Sequence, residues 1–242
     1  MVDVLERGDI RFFFRPRVQP ADAPVGTATA PGVQSFFFVL SPGGEHHRRV
    51  RVGRKRMPAA AGERLWARVE RVGPLQRVLA DQLEAEEYQT KTRGDRYQPG
   101  ARPIGQGGYA LVRHGDHVHL VYRIEQLEPD VPDEVRVPEA GSDLVLFKRS
   151  EMGGGDPAGF AGGAGGKAPR GINRGEVEGG DVAGGRLRWT TAGEPALLDE
   201  EGAEIVIVGT GVDDDLGVDV LAPASSPAEP SPGADSTAGR VA

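Results

Sequence analysis

Ile10-Arg11-Phe12-Phe13-Phe14-Arg15-Pro16-Arg17-Val18 alternates along the chain, with Ile10, Phe12 and Phe14 on one face and Arg11, Phe13, Arg15 and Arg17 on the other. A period of two is the mark of a strand with one buried face. Phe36-Phe37-Phe38-Val39-Leu40 is apolar on both faces, as a strand covered from both sides requires. Arg48 to Lys55 alternates again, Val50 and Val52 opposed by Arg49 and Arg51. Pro16 and Pro42 mark strand ends, and Gly43-Gly44 reads as a turn. These runs predict an antiparallel three-strand start, with Gln19 to Val33 as a variable loop.

Working outward, Pro74 suits a first helical position, and Leu75, Val78, Leu79 and Leu83 recur at helical spacing. Glu84, Glu86 and Glu87 then crowd the last turn, the wrong end for carboxylates in the helix field. Gly62 to Gly73 fits either a helix or a strand. Thr90 to Gly108 is polar and Gly/Pro-punctuated, and reads as a long basic loop. Tyr109 to His114, Gly115-Asp116 and His117 to Ile124 make the clearest hairpin. Val135 with Val137, and Leu144 to Phe147, supply further strands.

Residues 153–185 hold too many glycines and too few large apolar side chains to offset the entropy of ordering, and read as a linker. The apolar segment beyond it, with Leu187, Trp189, Leu197, Leu198 and Ile205 to Val208, is too short to fold alone. Ile205 to Val208 is therefore expected as a strand buried against the first domain. The division expected is a β-rich core at 1–150, a Gly-rich linker or insertion at 151–185, a docking segment at 186–221 and a disordered Pro/Ser/Ala-rich tail at 222–242. The fold class expected is β-rich α+β: an antiparallel or barrel-like sheet of about six strands with one or two short helices, a Gly-rich insertion and a C-terminal strand returning to the sheet.

Composition narrows the function classes. The chain has 242 residues, a net charge of −7 and no cysteine, which excludes disulfide scaffolds, thiolate zinc sites and cysteine nucleophiles. No apolar run approaches the length of a membrane helix and no signal-type stretch opens the chain, so a soluble cytoplasmic protein is expected. Arginine far outnumbers lysine, a bias that a GC-rich bacterial genome produces through codon usage. Charge is also polarised: residues 1–77 carry 14 basic and 7 acidic side chains, residues 150–242 carry 6 and 16. That pattern suits a polyanion-binding surface, or attraction between the two halves of the chain.

Motifs are sparse. Gly166-Lys167 lacks the first glycine and the hydroxyl residue of a phosphate loop. Gly105-Gln106-Gly107-Gly108 leads into a strand rather than a helix, which rules out a dinucleotide fingerprint. Asp213-Asp214-Asp215 lacks calcium-loop spacing. No Gly-x-Ser-x-Gly elbow occurs, and no catalytic residue stands out.

Two constellations remain. Phe13 lies between Arg11 and Arg15, with Arg17 beyond, and Arg49 and Arg51 belong on a neighbouring strand. Arg54, Lys55 and Arg56 continue the charge, and Lys91, Arg93 and Arg96 extend it. Such a face resembles a platform for single-stranded nucleic acid, the ring stacking a base and the guanidiniums holding phosphates. The same residues also suit an ordinary solvated face with Phe13 covered by the helix or the C-terminal segment. The second constellation is the hairpin tip. A two-residue Gly115-Asp116 turn sets His114 opposite His117 and Val112 opposite His119, so His114, His117 and His119 leave one side. Three imidazoles suit zinc, and an open position for water would make a hydrolase site. His46-His47 supplies a fourth ligand only if that loop folds over the tip; solvated histidines are the simpler reading.

Taken together, Glu6-Arg7-Gly8-Asp9-Ile10 with its Phe run, Val52-Gly53-Arg54-Lys55-Arg56, Lys91-Thr92-Arg93-Gly94, the His hairpin and Leu197-Leu198-Asp199 before Gly202-Ala203-Glu204 resemble an uncharacterised family of high-GC, actinobacterial-type proteins with no assigned activity. The opening Gly8-Asp9-Ile10-Arg11-Phe12-Phe13 is also similar to PUA-like and EVE-type barrels, a resemblance that implies binding of modified bases. The reading is a binding or interaction protein with nucleic acid or another polyanion as partner. The alternatives are a metal-dependent hydrolase on the His hairpin and a structural protein partner using the Phe-rich strands. No cofactor is called for apart from zinc at the hairpin, no membrane partner is expected, and the oligomeric state is open.

Overall fold

The computed structural model describes residues 2–21, 32–92, 94–115, 117–148, 195–210, 218 and 220; the side chains of His117, Phe147, Lys148 and Leu197 are not described. The elements are β1 (Val2–Pro16), β2 (Gln19–Pro20), β3 (Val33–Gly43), β4 (His46–Val52), β5 (Arg64–Gly73), α1 (Leu75–Leu83), β6 (Glu86–Thr90), β7 (Gly94–Gln98), β8 (Arg102–His114), β9 (His117–Leu127), β10 (Ala140–Lys148), a 3-10 turn (Pro195–Asp199) and β11 (Glu204–Gly209). Eight strands close into an antiparallel barrel in the order β1-β3-β4-β5-β11-β10-β9-β8. A smaller three-stranded sheet, β2-β7-β6, stands beside it.

The opening three strands pair as the alternation predicts, Phe12 opposite Phe38 and Phe38 opposite Val50. Ile10, Phe12 and Phe14 point inward with Phe36, Phe38 and Val50, and Phe12 lies 5.4–6.1 Å from the rings of Phe36, Phe38 and Tyr122. Closure leaves the barrel without an open edge. The interior is filled by these side chains: the void beside Leu198, lined also by Phe38, Leu120, Val145 and Ile207, is about 10 Å³. One water molecule is the most it admits.

The sheet is β-rich as expected, but it has eight barrel strands rather than six. Gly62 to Gly73 resolves as a strand, because Leu65, Ala67 and Val69 meet the barrel core at period two. Thr90 to Gly108 is not a loop. It completes the β6–β7 hairpin and begins β8, whose glycines serve the ladder: a Cβ on Gly107 would lie 1.9 Å from the carbonyl oxygen of Arg123. The register with β9 shifts between Gln106 and Gly107, a β-bulge that needs close backbone approach. Val135 and Val137 lie in the loop between β9 and β10 rather than in a strand, although Val135 is buried. The helix begins after Pro74 and ends at Leu83, so Glu86 and Glu87 open β6 instead of crowding its last turn.

Ile205 to Val208 is a buried strand that returns to the sheet, as expected, as an integral stave of the barrel between β5 and β10. Its four consecutive apolar residues follow from burial on both faces. Ile205 and Ile207 enter the core, while outward Val206 lies opposite Trp66 and Leu146, all three at most 9% exposed. Farther round, Val218 and Val220 pack on the outward Ala110, Val112 and Val121. The expected linker at 151–185 and tail at 222–242 lie outside the described residues. No described helix is long and apolar enough to cross a membrane.

Candidate functional site

Alternation on β1, β3 and β4 places Arg11, Phe13, Arg15, Arg49 and Arg51 on the outer face of adjacent strands, as the sequence predicts. Most of that face is not open. Helix α1 lies across it and sets Val78 and Leu79 against Phe13, Phe37 and Val39. The Phe13 ring stacks on Phe37 at 5.2 Å and is 7% exposed, so it belongs to a second small core and has no face left for a base. The amphipathic helix needs an apolar seat, and Phe13 with Phe37 provides it.

The guanidiniums are committed as well. Arg49, 2% exposed, lies 5.9 Å over the Phe37 ring, donates to the Val78 carbonyl at 2.6 Å and pairs with Asp81 and Glu70. The hydrogen bond from Arg49 holds the Asp81 carboxyl down at about 2, against the opposing effect of burial. Arg51 pairs with Glu70. Arg15 donates to the carbonyls of Pro99, Asp81 and Glu84, which satisfies the C-terminal end of α1, where a cation is favoured. Burial lowers the Arg15 pKa despite the nearby carboxylates Glu86 and Asp81.

The remaining basic candidates sit elsewhere. Arg17 donates to the Val33 carbonyl at 3.4 Å, near the far mouth of the barrel, where Lys55 pairs with Glu134 and Arg56 with Glu63. Arg54 is exposed between them. Lys91 is exposed at the β6–β7 turn, Arg96 lies opposite Tyr88, and Arg93 falls outside the described residues. The described candidates therefore do not form one surface.

What stays open on the sheet face is a strip next to the covered area. Asp9 lies opposite Ser41 and Gly108, and Arg11 opposite Val39 and Gln106. His47 Nδ1 is hydrogen-bonded to Ser41 Oγ at 2.8 Å. Burial and the nearby Arg11 and His46 lower the His47 pKa, which keeps its ring neutral near pH 7. Arg11 is half-buried and, among the described residues, has no carboxylate partner.

A second polar group closes the mouth of the barrel near the β3–β4 turn. Arg48 shares the inward phase of Val50 and Val52 and is 3% exposed. Its Nη1 donates to Glu6 at 2.6 Å and its Nε to Asp199 at 2.5 Å. The buried Tyr109 hydroxyl donates to the same Glu6 oxygen at 2.6 Å, and His46 Nε2 bonds Asp199 at 2.6 Å. Burial and the Glu6 carboxylate push the Tyr109 phenol far above its ordinary range. Asp199 is raised by partial burial, but its bonds to Arg48 and His46 outweigh this and hold it low. This network anchors the 3-10 turn that delivers Leu198 to the core. It was legible in one respect: an arginine in the apolar phase of β4 must find buried carboxylates.

Serine, two histidines and an aspartate thus meet near this mouth without forming a triad. His46 and His47 are consecutive on β4, so one binds Asp199 and the other Ser41; neither of the two links a serine to an acid. At the other hairpin, His114 lies opposite His117 and Val112 opposite His119, in the predicted register. The rings of His114 and His119 are 6.4 Å apart, with His114 exposed and His119 5% exposed. His119 is buried because the outer face there is apolar: it lies opposite Val112 and Leu144. It is thus not a solvated tip residue. No group of three or more histidine or acidic side chains able to hold a metal occurs among the described residues.

Attraction between the two halves of the chain is realised in detail. Asp199, Glu201 and Glu204 of the C-terminal segment pair with Arg48, with Arg71 and Arg77, and with Arg68. No family model, no curated protein and no solved structure matches this chain.

Proposed function

We propose that the protein is a binding module whose ligand carries phosphate, with single-stranded nucleic acid held by its backbone on the strip of Arg11, Ser41 and His47. One observation supports this reading. Arg48, Arg49, Arg51, Lys55 and Arg56 are each neutralised by a carboxylate, whereas Arg11 has none among the described residues, and it lies beside a hydroxyl and an imidazole. A phosphate oxygen accepts from guanidinium and hydroxyl alike.

Binding of a mixed-sequence single strand should be weak and salt-dependent. Arg11→Ala should lower affinity and reduce the slope of log affinity against log salt by roughly 0.7, the value of one lost phosphate contact. Asp9→Asn, which removes an exposed anion from the edge of the strip, should strengthen binding. Fluorescence anisotropy with a labelled oligonucleotide at low salt is the measurement. No binding, or binding indifferent to Arg11→Ala, would remove the proposal.

A further inference from the structure

The small sheet β2-β7-β6 ends in β6, which among the described residues has a strand partner on one side only. Its residues Glu86 to Gln89 are exposed, and Tyr88 retains 40% of its surface. An edge strand offers a row of unpaired amide and carbonyl groups, and charges usually guard such an edge against pairing. Here one pairing uses the whole strand and brings no like charges together.

We propose that β6 pairs antiparallel with β6 of a second copy of this chain, on a two-fold axis through Tyr88. In that register Glu86 faces Thr90, Glu87 faces Gln89 and Tyr88 faces its counterpart, so all five residues are used and no like charges meet. Lys91, at the exposed turn, falls diagonal to Glu87 of the other copy, about 7–8 Å away on the same side, within reach of a long side chain. A slip by one residue towards the N-terminus sets Glu87 against Glu87, which is repulsive. Such a contact is isologous and closes as a dimer. A five-residue pairing buries less than a standard interface, so the dimer is weak and forms at high protein concentration.

Sedimentation velocity on the full chain, at concentrations up to about 1 mM, is expected to show reversible dimerisation of the weak class. Tyr88→Lys should weaken it by roughly tenfold or more, because two ammonium groups then face each other. Glu87→Lys and Lys91→Glu should each weaken it, and the double exchange should restore it. The far-UV spectrum should be unchanged throughout, since β6 lies outside the barrel.

The absence of cysteine gives a direct test of register. Facing residues in an antiparallel pair have the Cα separation that a disulfide spans. Tyr88→Cys should cross-link to itself under mild oxidation, and Glu86→Cys should not. A monomer at every concentration, a dimer insensitive to Tyr88→Lys, or cross-linking at Glu86→Cys in preference to Tyr88→Cys would overturn the proposal. None of these outcomes touches the strip at Arg11.

Discussion

Replacing Arg48 by alanine is expected to destabilise the barrel by about 3–5 kcal/mol, the cost of breaking a buried ion pair from one side. The change removes the Arg48 bonds to Glu6 and Asp199; Asp199 keeps its bond to His46, and Glu6, 13% exposed, keeps the Tyr109 hydroxyl. Most of the loss belongs to Glu6. Asp199 is 37% exposed and regains water, so its share is closer to that of a surface pair. Arg48→Met combined with Glu6→Gln should lose much less than Arg48→Ala, because no uncompensated charge remains buried. Denaturant melts of the wild type, the single and the double variants at pH 7 measure the difference. A loss below about 1 kcal/mol in Arg48→Ala would place the network with ordinary surface pairs.

The second large effect comes from Asp143, which shares the inward phase of Val145 and is 5% exposed. Burial, aided by the Glu63 carboxylate, raises its pKa from 3.8 to about 7. Tyr122 lies diagonal to it on β9, and its phenol is raised by burial and by Asp143. The folded chain therefore holds the Asp143 proton more tightly than the unfolded chain does. By linkage, this group's contribution to stability is greatest below about pH 4 and declines as pH rises towards 7. Roughly three pKa units at 1.36 kcal/mol each amount to about 4 kcal/mol above pH 7.

Asp143→Asn keeps the shape and removes the charge. It should raise the melting temperature at pH 8 by about 10 °C for a chain of this size and leave it nearly unchanged at pH 4. Equal gains at both pH values, or a loss at pH 8, would show that ionisation of Asp143 does not govern the effect. Acid titration of the wild type has a second limb of opposite sign. Asp81, Asp199, Glu63 and Glu134 are all held below their ordinary values by their partners. Their stabilisation is present above about pH 4 and is lost as pH falls through the folded-state values.

The sequence by itself determined the strands whose apolar residues follow a clear strand pattern, alternating or continuous. Ile10 to Phe14, Phe36 to Leu40, Arg48 to Val52 and the hairpin through Gly115 were legible, and the hairpin register was legible to the residue, because a two-residue turn fixes which side chains face each other. The helix from Leu75 was legible from its spacing. Ile205 to Val208 announced itself as buried, since four consecutive apolar residues need cover on both faces.

Only the tertiary structure decided the rest. Leu65 to Val72 fits two periodicities, and barrel closure selects the strand because β4 and β11 both need a partner there. The polar residues of β6 and β7 carry no hydrophobic period, so their pairing is invisible until the chain has turned. The basic face shows the same limit most clearly. Alternation correctly placed Arg11, Phe13, Arg15, Arg49 and Arg51 on one side of the sheet, but it says nothing of what lies above that side. Helix α1 and the carboxylates of Glu70 and Asp81, distant in sequence from β1, cover Phe13 and neutralise Arg49 and Arg51. Local pattern fixes the direction of a side chain; its exposure and its charge partners depend on elements brought together by folding.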